Sequence, residues 1–104
     1  MSSAKVTVRA RAVRDLLGHA EWLRNEADDE LADRFLFAAR SSFAALAQAP
    51  GLDAQSDARS PELRGARKWR VEGFPNRLIF YAPRPAGGVT ILRVLHAARD
   101  WRSP

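Results

Sequence analysis

The residues whose types and spacing could do chemistry are the cations of the last forty positions. They stand in Leu63-Arg64-Gly65-Ala66-Arg67-Lys68-Trp69-Arg70-Val71, in Asn76-Arg77-Leu78-Ile79-Phe80-Tyr81 and in Ile91-Leu92-Arg93-Val94-Leu95-His96-Ala97-Ala98-Arg99-Asp100. Guanidinium groups brought together on one surface bind phosphates bidentately and stabilise the charge that develops when a 2′-hydroxyl attacks the neighbouring phosphodiester. Such a site also needs a proton acceptor and donor. Tyr81, His96 or Lys68 are available, but only a Lys or His with a suitably tuned pKa would be efficient near neutrality. A basic face of the same composition equally docks an acidic protein, and the residue types alone leave both readings open.

Other chemistry has little material. His19 falls on the polar side of a helical pattern and His96 at the end of a strand pattern, and no two histidines have metal-ligand spacing. There is no Gly-rich phosphate loop and no acidic pair at a strand end, so neither a metal nor any other cofactor is expected. His96 reads as a locally hydrogen-bonded strand end, Asp100 as the ion-pair partner of Arg99, and Trp69 as core.

The elements that must position these cations are three successive strands. With Gly73-Phe74-Pro75-Asn76 as a four-residue hairpin loop, antiparallel pairing sets Glu72 opposite Arg77, Val71 opposite Leu78, Arg70 opposite Ile79 and Trp69 opposite Phe80. Alternation then puts Trp69, Val71, Leu78 and Phe80 on the core face, and Lys68, Arg70, Arg77, Ile79 and Tyr81 on the other with Glu72. The expectation is that Lys68, Arg70 and Arg77 converge on one surface.

Upstream, Val6 and Val8 alternate with polar residues as a short strand. Val13, Leu16, Leu17, Ala20, Leu23 and Ala27 form the apolar stripe of a first helix. Asp28 or Asp29 is placed to cap a second, along which Ala32, Phe35, Leu36, Ala39, Phe43 and Leu46 share a face until Pro50-Gly51 ends it. Residues 51–60 have no apolar period and read as loop. The pattern predicts one α+β domain over residues 1–104, with strands near 4–9, 66–73, 77–82 and 89–96 and helices near 10–26 and 29–48.

Some apolar residues have no place in this scheme. Ile79 and Tyr81 fall on the charged sheet face, the last strand is apolar on both faces through Ile91 and Leu95 against Leu92 and Val94, and Trp22 and Phe37 lie off their helix stripes. One helical hairpin covers only one face of a sheet, so these groups suggest a partner-binding surface.

The chain has 104 residues and a net charge of +5, unevenly spread. Residues 15–33 hold seven acids against Arg24, whereas residues 59–104 hold ten cations against three acids. A basic sheet implies an anionic partner. There is no cysteine, and no apolar run of the roughly 20 residues that a membrane span requires. A soluble cytoplasmic protein without a membrane partner is expected.

Nearly the whole chain resembles the RelE/ParE superfamily of toxins from bacterial type II toxin–antitoxin operons. The most specific parts are Leu63-Arg64-Gly65 through Trp69-Arg70-Val71, the strand Leu78-Ile79-Phe80-Tyr81, and Arg93-Val94-Leu95-His96-Ala97-Ala98-Arg99-Asp100, which is similar to the closing motif of the ParE branch. The resemblance implies a helical hairpin on a small antiparallel sheet in the order β-α-α-β-β-β. It also implies growth inhibition by the free toxin and a hetero-oligomer with a cognate antitoxin, whose C-terminal segment wraps the toxin. Trp22, Phe37, Ile79, Tyr81 and Ile91 are the candidates for antitoxin contact.

RelE-type members cut messenger RNA on the ribosome, and Lys68, Arg70, Arg77 and Arg99 fall at positions similar to their basic cluster. ParE-type members inhibit DNA gyrase. The sequence ends at Pro104 without the final helix and tyrosine of the RelE type, which favours the ParE reading, with Arg93, His96, Arg99, Asp100, Trp101 and Arg102 as candidate target contacts. The alternatives are a ribosome-dependent endoribonuclease and a non-toxic basic nucleic-acid-binding module.

Overall fold

The computed structural model describes residues 5–49 and 63–97. Their elements are β1 (Val6–Val8), α1 (Ala10–Glu26), α2 (Asp29–Gln48), β2 (Arg67–Val71), β3 (Phe74–Pro83) and β4 (Val89–His96). This is the expected order, and both helices have the expected bounds. The expected loop over 51–60 and the closing residues Arg99, Asp100, Trp101 and Arg102 lie outside the described residues.

The four strands form one sheet in the order β1-β4-β3-β2. It is mixed, because β1 runs parallel to β4 while the other pairs are antiparallel. Gly88 makes the parallel pairing possible. Its φ is +87°, and a Cβ there would sit 1.9 Å from the carbonyl oxygen of Lys5, where the chain entering β1 crosses it. The adjacent Val89 N–H donates to that same oxygen at 2.9 Å.

Asp28 caps α2: its Oδ1 accepts from the Leu31 N–H at 2.8 Å, and Asp29 and Glu30 follow at the positive end of the helix. The buried face of α2 carries Ala32, Phe35, Ala39, Phe43 and Leu46, as the periodicity predicts. The face of α1 is rotated from its expected stripe. Ala12, His19, Ala20 and Leu23 are buried, whereas Val13 and Leu17 are exposed. The cause is polar: the side of α1 that carries Asp15 and His19 is drawn to the edge of β4, as described below.

The register of β2 on β3 differs by one residue from the expected one. Trp69 pairs with Ile79, Lys68 with Phe80 and Arg70 with Leu78. Gly73, at φ +81°, closes a tight Glu72-Gly73 turn so that Val71 pairs with Phe74. Pro75 then follows with no N–H to give the ladder, and the register shifts between Arg70 and Val71. A one-residue slip moves the side chains of β3 to the opposite faces. Ile79 and Tyr81 therefore join Val71 beneath the helices, and Leu78 and Phe80 point away from them.

Both sheet faces are consequently packed. Beneath the helices, Phe35, Phe43 and Leu46 meet Val71, Ile79, Tyr81, Ile91 and Val94. On the other face Phe80, Leu92 and Leu95 are buried with Leu63 and Ala66, which precede β2. The expectation that the second face is left open is overturned. So is that of a core Trp69, which lies near the sheet edge and remains 38% exposed.

Candidate functional site

The site is built where α1 runs down the edge of β4. Strand β1 is only three residues long and pairs with Val89, Thr90 and Ile91, after which the Arg9 N–H donates to the Ile91 carbonyl at 3.0 Å. Beyond that point, among the described residues, β4 has no strand neighbour on this side, and its peptide groups still need partners. Two side chains one turn apart on α1 supply them. The Val94 N–H donates to Asp15 Oδ2 at 3.0 Å, and His19 Nε2 donates to the Val94 carbonyl at 2.9 Å. His19 is buried, not on the polar side of its helix, and its ring meets Phe35 edge-on at 5.9 Å.

Asp15 has a second task. Arg93 Nε and Nη2 donate to its two oxygens at 2.7 and 3.0 Å, a bidentate pair in which both side chains are largely withdrawn from solvent. Arg93, a candidate target contact, is thereby committed to the attachment of α1.

Further along α1, Trp22 is half-exposed and lies over Arg77, whose Cζ is 5.6 Å from the ring centroid. Arg77 pairs across the sheet with His96, the last residue of β4. Trp22, Arg77 and His96 thus meet at one corner of the molecule, and Ala97 leads away from it, its N–H donating to the Asn76 carbonyl at 2.8 Å. Each of the three stands out in the sequence, but their grouping does not, because their meeting depends on the register.

The expected convergence of Lys68, Arg70 and Arg77 does not occur. Arg77 alternates with Ile79 and Tyr81 on the helix side and is only 6% exposed. Lys68 and Arg70 pair with Phe80 and Leu78 on the opposite face. Tyr81, offered as a proton-transfer group, is fully buried. A phosphodiester cannot lie against both faces of a sheet, so among the described residues these cations do not form one transition-state cradle.

The candidate antitoxin contacts divide as well. Ile79, Tyr81 and Ile91 have no exposure and are core, which removes the unburied apolar surface on which their role rested. Trp22 and Phe37 are exposed as expected, at 45% and 73%. Among the described residues no group of three or more His, Cys, Asp or Glu is placed to hold a metal ion, and no helix is long and apolar enough to cross a membrane.

The model of the family described as ParE toxin of type II toxin–antitoxin system, parDE, matches residues 6–101. No curated protein matches the chain.

Proposed function

Because the chain belongs to the ParE toxin family of type II toxin–antitoxin systems, we propose that it stops growth in the cytoplasm by engaging DNA gyrase through its surface, and that a cognate antitoxin neutralises it. The observation that carries this reading over transcript cleavage is the division of the sheet cations. Lys68 and Arg70 lie on one face, and Arg77 is buried on the other beneath Trp22. An endoribonuclease depends on cations gathered around one phosphate, where losing a single charge-stabilising group commonly costs about 100- to 1000-fold in rate. A protein that acts by surface complementarity has no such requirement.

The target contacts in this reading are His96 at the end of β4 and Arg99, Asp100, Trp101 and Arg102 beyond it. Arg93 acts indirectly, by fixing α1 to β4, the strand that ends at His96. Controlled expression without the neighbouring gene tests the proposal. Filamentation with a DNA-damage response and intact transcripts is expected. Cut transcripts would favour the ribonuclease, and undisturbed growth a plain nucleic-acid-binding module.

A further inference from the structure

An open groove of about 750 Å³ runs between the first half of α2 and the β2–β3 turn. Its floor is apolar, formed by Phe37, Ala38 and Phe74, and its rim carries the carboxylates of Glu30, Asp33 and Glu72 against Arg34, with the Arg24 guanidinium a further 3.9 Å from Asp33. Both walls are fixed. Phe74 packs edge-on against the fully buried Phe35 at 5.3 Å, and the buried Ser42 hydroxyl ties the turn to α2 by accepting the Glu72 N–H at 3.2 Å while donating to the Ala38 carbonyl at 2.8 Å. At the groove Phe37 is 73% exposed, on a turn of helix with a preformed aromatic wall facing it.

The charge of the rim decides the occupant. The chain as a whole carries +5, so this is an anionic concavity on a cationic protein. A two-fold dimer would set the patch against itself and oppose carboxylate to carboxylate, and such juxtaposition costs several kcal/mol. A head-to-tail contact with the basic sheet of another copy would build a ring or an open filament, not a simple pair.

We infer that the groove receives a segment of the antitoxin in which a large apolar side chain, seated between Phe37 and Phe74, is flanked by lysine or arginine side chains that pair with Glu30, Asp33 and Glu72. This rests on the toxin–antitoxin reading and adds to it the place and the chemistry of the contact. The aromatic pair supplies affinity as a buried anchor, and the carboxylates fix which segment is accepted.

The test is titration calorimetry of the protein encoded by the adjacent gene against the full chain and two variants, Phe37→Ala and the charge reversal Asp33→Lys/Glu72→Lys. Asp33, Phe37 and Glu72 are all exposed, and circular dichroism establishes that the variants keep the fold. Each variant is expected to weaken binding by roughly 10- to 50-fold, the usual loss at an interface anchor. Exchanging one antitoxin cation for glutamate should recover part of the affinity for the reversed groove. If the native chain binds and both variants bind as well or better, the groove is not the docking site and the proposal is overturned while the toxin–antitoxin reading stands. If the native chain does not bind at all, the antitoxin reading falls and takes the proposal with it.

Discussion

Arg77 lies beneath Trp22, with its guanidinium carbon 5.6 Å from the indole centroid, on the side of the sheet that faces the helices. This one placement separates a cation that looks catalytic in the sequence from Lys68 and Arg70, with which it would have to act. Arg77→Ala removes the cation–π contact, about 0.5–2 kcal/mol, together with the packing of a side chain that is 6% exposed. The variant should melt at lower temperature but, where it remains folded, still inhibit growth. Arg77→Lys should recover part of the stability.

Lys68→Ala with Arg70→Ala should leave growth inhibition within a few-fold of the native chain. Both side chains lie on the sheet face away from Arg77. A transition-state cluster would lose about 100-fold or more on the same change. Counting survivors after induction, at matched protein levels, measures the difference.

Asp15→Ala should be the costlier change. It leaves the partly buried Arg93 guanidinium without its bidentate partner and the Val94 N–H without an acceptor. Removing one member of a buried pair costs about 3 kcal/mol or more, which for a domain of this size lowers the melting temperature by roughly 12–24 °C. Hydrogen exchange at Val94 should accelerate more than at Ile79, whose strand is paired on both sides. A double-mutant cycle with Arg93→Ala should be strongly non-additive, since each single change breaks the same pair.

Gly88→Ala should detach β1. The added methyl would meet the Lys5 backbone at 1.9 Å and the residue would keep a φ of +87°. Strain of this kind costs about 1–3 kcal/mol before the clash is counted. Protection of the Val89 amide, which donates to Lys5, should fall first.

The helices were legible because each signal was local. Asp28 announces the start of α2, and Ala32, Phe35, Ala39, Phe43 and Leu46 keep one period throughout. The division of Lys68 and Arg70 from Arg77 was not legible, because it depends on one turn. Read as a four-residue loop, the hairpin gives pairs one residue out of step. The tight turn at Gly73 and the break at Pro75 move Ile79 and Tyr81 into the core and leave Trp69 near the rim. Val13 and Leu17 misled for a related reason: hydrophobicity alone cannot show that Asp15 and His19 face inward to satisfy an open strand edge. The exposed Trp22 and Phe37 were visible in the sequence as residues off their stripes, since that judgement needs only helical spacing.

The most direct test of the account is to titrate the purified toxin into DNA gyrase acting on relaxed plasmid, with a parallel titration into translating ribosomes. Loss of supercoiling, reversed by the antitoxin, is expected, with every messenger RNA intact. Full gyrase activity at saturating toxin, together with codon-positioned cuts in the message, would contradict it.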